Sequence, residues 1–195
     1  MVPPSPNRLR THAVLATALL ALVTFGCRAF SGTGPDAGVV DPTVEAAKLV
    51  PFLPATLGAF TATGAPTTMG SLPGPIISAR RSYKSTDGRS AELRLSTGDV
   101  HGDVATLESD DEHAFGSDSP TYWRTTSVAG HRTRVAEERP KTIKSECVVR
   151  VGKNHVADVT ITPALPGDCE TVASLLDFAG ITATGGVPSP PVGRR

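Results

Sequence analysis

Aromatic residues make up only 5% of this 195-residue chain, with one Trp, two Tyr and six Phe. So few rings leave little for the stacking platforms that grip bases or sugars. Charge of one sign is lacking too: 19 basic residues face 19 acidic ones, and the basic residues form no run. That balance gives no electrostatic footprint for nucleic acid, so a nucleic-acid partner is not expected. Long apolar stretches are also missing. The longest uncharged apolar run is the 13 residues 13–25. As a helix it spans roughly 20 Å, short of the ~30 Å hydrocarbon core of a bilayer, so it is not expected to remain as a membrane span. There is no Gly-x-Ser-x-Gly elbow, no Cys-x-x-Cys and no Gly-rich phosphate loop after a strand. Nucleophilic catalysis, thiol redox chemistry and nucleotide binding therefore have no motif to stand on, and no cofactor is expected.

What is present begins with an address. Arg8 and Arg10 precede the apolar run, which ends at Gly26-Cys27. A basic segment, a short apolar segment and a small residue make an export signal. Residues 8–27 resemble the signal of bacterial lipoprotein precursors, in which a cysteine after a small residue receives a diacylglycerol and the signal is cut just before it. Thr24 and Phe25 depart from that pattern; Gly26 and Cys27 match it. The resemblance implies a signal peptide at 1–26, lipidation of Cys27 and a membrane partner reached through that lipid. Arg28, in place of the Asp that retains such proteins at the inner membrane, points to the outer one. Ordinary secretion, with a cut after Gly26 or Ala29, is the competing reading.

Removing the signal takes two of the 19 basic residues and none of the acidic ones, leaving 17 against 19. About 169 residues remain, enough for one domain with tails. Residues 27–40, rich in Gly and open conformations, read as a lipidated tether. Asp41 can cap a helix with Pro42 at its first position, placing Ala46, Leu49, Val50 and Leu53 on one face. Residues 62–75, rich in Gly, Pro and Thr, read as a long loop.

Strands are expected next. Ile76–Ser85 leads to the turn signal Asp87-Gly88, after which Ala91, Leu93 and Leu95 alternate with Glu92, Arg94 and Ser96. Two further segments, 121–128 and 133–138, flank Ala129-Gly130. A second hairpin joins 143–151 to 156–162, and in its first arm Ile143, Ser145, Cys147, Val149 and Val151 share a face. A last helix, capped by Asp168 and ended by Gly180, aligns Val172, Leu175, Leu176 and Ala179. The expected fold is α+β: a single antiparallel sheet of about five to six strands with an N-terminal and a C-terminal helix packed on one face. The domain should occupy 41–181, with a disordered tail at 182–195.

Three cysteines in an exported chain leave one unpaired. Lipidation accounts for Cys27, so Cys147 and Cys169 are expected to pair in an oxidising compartment. Cys147 lies on the strand face the last helix must cover, and Cys169 lies in that helix's first turn.

The most ligand-like cluster is Asp99-Val100-His101-Gly102-Asp103, which in an extended segment puts two carboxylates and an imidazole on one side. His113 and the nearby acidic run extend it. Gly98 and Gly102 favour turns, and the acidic spacing matches no EF-hand, so a polar loop is the simpler reading. The leading expectation is a non-catalytic, lipid-anchored cell-envelope protein with a binding, spacer or accessory domain facing periplasm or exterior, and with an envelope protein as partner. The alternatives are a metal-dependent enzyme using Asp99, His101 and Asp103, and a carrier of an apolar small molecule.

Overall fold

The computed structural model describes residues 41–70, 76–98, 121–138 and 144–187, all within the compact unit 38–195. Cys27, Asp99, His101, Asp103, His113 and Ile143 lie outside the described residues, as do the signal, the tether and residues 188–195.

Helix α1 spans Pro42–Leu49. It starts where the sequence dictates: the Asp41 side chain accepts from the Thr43 amide at 2.8 Å, and Pro42 occupies a position whose missing N–H costs nothing. A 3-10 turn, Val50–Phe52, ends it at the prolines. Its apolar side buries Ala46, Leu49 and, just beyond, Leu53.

Nine strands follow in one sheet: β1 Thr56–Leu57, β2 Phe60–Ala62, β3 Thr67–Gly70, β4 Ile76–Ser85, β5 Ser90–Gly98, β6 Thr121–Val128, β7 His131–Glu138, β8 Ser145–Val151 and β9 His155–Thr162. All pairings are antiparallel, in the order β1-β2-β4-β5-β9-β8-β7-β6, with β3 also on β4. The sheet is thus larger than the five to six strands expected from the sequence. The six long strands lie in the segments read as strands from the sequence. The additional three are short strands in 56–70, part of which reads as loop. They carry no alternation of their own: β3 is exposed at all four positions. What makes them strands is β4, ten residues long, whose edge would otherwise present unpaired N–H and C=O groups. β2 pairs with its C-terminal end, and β3 with its N-terminal half.

The chain after β9 also departs from expectation. In place of one helix there are two short ones, α2 Asp168–Ala173 and α3 Phe178–Ala183. Gly167, at φ 79°, takes the N-cap position of α2. Asp168, expected as the cap, instead accepts from the Leu165 amide and from Arg89 Nη1, both at 2.7 Å, tying the β4–β5 turn to α2. Asp177 caps α3 through the Gly180 amide. Gly180, read as a terminator, sits inside α3, where an added Cβ would strike Asp177 and Phe52. The break turns Leu175 outward, so only Val172 and Leu176 of that expected face are buried.

All three of the described helices lie on one face of the sheet. Leu49, Leu53, Val172, Leu176, Phe178 and Ile181 close over the inward residues of β4, β5, β8 and β9 in a single core. The Cys147–Cys169 disulfide crosses this interface, joining β8 to the first turn of α2 over a Cα–Cα distance of 5.7 Å. Both cysteines are fully buried.

Candidate binding face

Strand alternation sends every second side chain to the opposite face, where no described helix packs. Register lines these residues up across the strands. Arg80 of β4 stands opposite Arg94 of β5, which stands opposite Asp158 of β9, then Val148 of β8 and Arg134 of β7. The neighbouring row runs Ser82, Glu92, Thr160, Glu146, Ala136, Trp123. A cationic row therefore adjoins an acidic one, although the basic residues form no run in the sequence. Hairpin register, not sequence proximity, assembles both.

Short polar contacts fix these side chains. Arg94 Nη2 donates to Asp158 Oδ2 at 2.8 Å, Lys144 Nζ to Glu146 Oε2 at 2.9 Å, and Arg80 Nε to Thr67 Oγ1 at 3.3 Å. The Glu146 hydrogen bond raises the Lys144 pKa, against the opposing effect of burial. Arg134 lies 4.9 Å from the centroid of the Trp123 ring, a cation–π placement, with the guanidinium residue itself buried.

Several cavities open on this face. One of about 510 Å³ is lined by Met69 and Ile76 at one end and by Arg80, Glu92, Arg94 and Lys144 among its charged walls. A second, of about 340 Å³, lies towards the β4–β5 turn between Lys84, Ser90, Glu92 and Thr162. A third, of about 200 Å³, sits between Trp123, Glu138 and Lys144. Each is a dent in a charged and hydroxylated surface.

The covered face holds a different cluster. Arg124 of β6 bonds Glu170 of α2 and lies 3.6 Å from Glu137 of β7, whose side chain is 5% exposed. Burial opposes the charge of Arg124, but the hydrogen bond and charge of Glu170 outweigh it and raise the guanidinium pKa. Glu170 Oε2 in turn lies 3.4 Å from Cys169 Sγ and 3.9 Å from Cys147 Sγ. These three residues have metal-ligand types within reach of one another. Thiolate is the ligand form of cysteine, however, and sulfurs joined in a disulfide offer none. Nothing in the sequence marked Arg124, Glu137 and Glu170, which come together only through β6–β7 pairing and the docking of α2.

Two histidines are on the covered face. His131 Nδ1 bonds the Arg150 carbonyl at 3.1 Å, with its ring 4.4 Å from that of Phe178; His155 Nε2 meets Thr184 Oγ1 at 2.9 Å. Among the described residues, oxygen of backbone or hydroxyl holds each of them. Tyr83 is buried beneath the helices, its hydroxyl without a hydrogen-bond partner among the described residues, and burial pushes its pKa up to about 12 against the pull of Arg81.

The architecture is that of an α+β domain with one helix-covered and one polar sheet face. No family model, curated protein or solved structure matches the chain. No described helix is long and apolar enough to cross a membrane.

Proposed function

We propose that this is a lipid-anchored envelope protein, held to a membrane by acyl chains on Cys27, whose domain acts by binding through the polar sheet face without catalysis. The observation that carries the reading is the Cys147–Cys169 bridge. It accounts for two of the three cysteines, and the third, Cys27, directly follows Gly26 at the end of the expected export signal. A buried structural disulfide is also the state favoured outside reducing compartments. The cavity walls support a polar ligand or protein partner over an apolar cargo, since a buried cargo would desolvate Arg80, Glu92, Arg94 and Lys144.

The test is metabolic labelling with radioactive palmitate followed by membrane fractionation. The wild-type chain is expected to take up label and sediment with membranes, and Cys27→Ser to do neither, because serine has no thiol to receive the diacylglycerol. Stable attachment needs the two or three chains such a cysteine carries, as a single chain binds a bilayer only marginally. Unlabelled, soluble wild-type protein would refute the anchor.

A further inference from the structure

The chain leaving α3 is strapped back across one end of the sheet. Gly185 and Gly186, at φ 81° and 59°, turn it there, a conformation L side chains rarely adopt. Three polar contacts then hold it. Asn154 Nδ2 donates to the Gly185 carbonyl at 3.0 Å, the Val187 backbone amide donates to Thr97 Oγ1 at 2.9 Å, and Thr184 Oγ1 meets His155 Nε2. At Gly186 there is no space to spare: an added Cβ would lie 2.7 Å from both His155 Cε1 and Thr97 Oγ1. The strap therefore rests on the edge of the imidazole, which is only 3% exposed.

The hydroxyl of Thr184 has one proton and gives it to the Ile181 carbonyl at 2.7 Å. Its oxygen is then an acceptor, so the neutral ring carries its hydrogen on Nε2 and its lone pair on Nδ1. A second proton on Nδ1 makes a buried cation. Among the described residues, Thr97 of β5 and Val151 of β8 flank His155 in register and Thr184 and Gly186 of the strap meet its ring, none of them charged, while Lys153 in the adjoining turn is exposed. His131, two strands away, is occupied with Arg150 and Phe178. A charged imidazole at this position gains water only if the strap lifts.

We propose that residues 184–187 form a pH-sensitive strap, closed while His155 is neutral and released from the sheet end when the imidazole is protonated. Release frees residues 184–187 from the sheet end and is independent of how the chain is anchored. Burial lowers the His155 pKa from its ordinary value of 6.5, and burial alone is the cause. The sign follows: the open form binds the proton more tightly, so closure is fully favoured above about 6.5 and is lost as pH falls through the closed-state value.

Hydrogen exchange on the purified full chain, followed by NMR and corrected for the intrinsic pH dependence of exchange, tests this. Protection of the Val187 amide should fall by up to about tenfold per pH unit between 6.5 and the closed-state pKa, while the core amide of Val149 keeps its protection. His155→Gln, neutral at every pH and still able to donate to Thr184, should hold Val187 protection constant over the same range. A pH-independent wild type, the same loss in His155→Gln, or loss in step with Val149 would each overturn the proposal. Thr97→Val removes the strap's acceptor and keeps the imidazole; it should expose the Val187 amide already at pH 7.5, and unchanged protection there would also overturn it.

Discussion

The two faces of the sheet are built by the same strands and share almost nothing else. Along β5, Leu93 and Leu95 are buried against the helices, while Arg94 between them leaves 42% of its side chain in water and pairs with Asp158. The covered face is mainly Ala, Val, Leu, Ile, Phe and a disulfide around a few partnered polar groups, and it carries the energy of folding through area removed from water. The other face is mostly Arg, Lys, Glu, Asp, Ser and Thr, with Val148, Ala136 and Trp123 among them, and an exposed ion pair there is worth at most about 1 kcal/mol. One face is therefore constrained by stability, and the other is free to be chosen for what it touches. That division is why the proposed binding role falls on the polar face, while the Arg124–Glu170–Glu137 cluster ties α2 to the sheet.

The comparison can be broken most forcefully at the bridge. Replacing Cys147 and Cys169 together with Ala should cost roughly 3 to 4 kcal/mol in urea denaturation, since it reopens a loop with a sequence separation of 22 and hollows two fully buried sites. A loss under 1 kcal/mol would mean that the helices hold the covered face unaided. Next come neighbours on one strand. Leu93→Ala should lose about 3 kcal/mol through transfer and cavity terms. Arg94→Ala, one residue along, should lose less than about 1 kcal/mol. Equal losses would show that the polar face is part of the folding core. An effect of similar size but opposite sign is expected at the turn between β6 and β7, which belongs to neither face. Ala129 is exposed there at φ 48°, followed by Gly130 at 81°, the backbone of a two-residue hairpin turn that disfavours a Cβ. Ala129→Asn should raise the urea midpoint by the equivalent of roughly 0.5 to 1 kcal/mol, because asparagine tolerates the left-handed region.

Much of the fold was legible wherever the controlling interaction was local. Asp41 and Pro42 set the start of α1 by capping chemistry that spans three residues. The turn signals at Asp87-Gly88, Ala129-Gly130 and Gly152 each lie between paired strands, as read. Ser145, Cys147, Val149 and Val151 share a buried face because period-two alternation is a property of the strand itself. β1, β2 and β3 were not legible, since their pairing is imposed by the edge of β4. The break between α2 and α3 was missed because Val172, Leu175, Leu176 and Ala179 keep helical spacing through it, while the φ of Gly167 and the cap at Asp177 decide the geometry. Asp99, His101, Asp103 and His113 fall outside the described residues, so the metal alternative is carried forward only as a reading of the sequence.

By itself, the sequence determined the α+β class, the six long strands, the start of the first helix and the pairing of Cys147 with Cys169. Each of these rests on caps, turns, alternation or the count of cysteines, information that neighbouring residues carry together. Tertiary structure alone decided that Arg80, Arg94 and Asp158 stand in one row, that Arg124 bridges to Glu170, and that the strap at Gly186 seals His155. The physical reason is one of range. Local preferences act over a few bonds, whereas cross-strand register and helix docking bring together residues dozens of positions apart, and only the burial of the shared core fixes which ones meet.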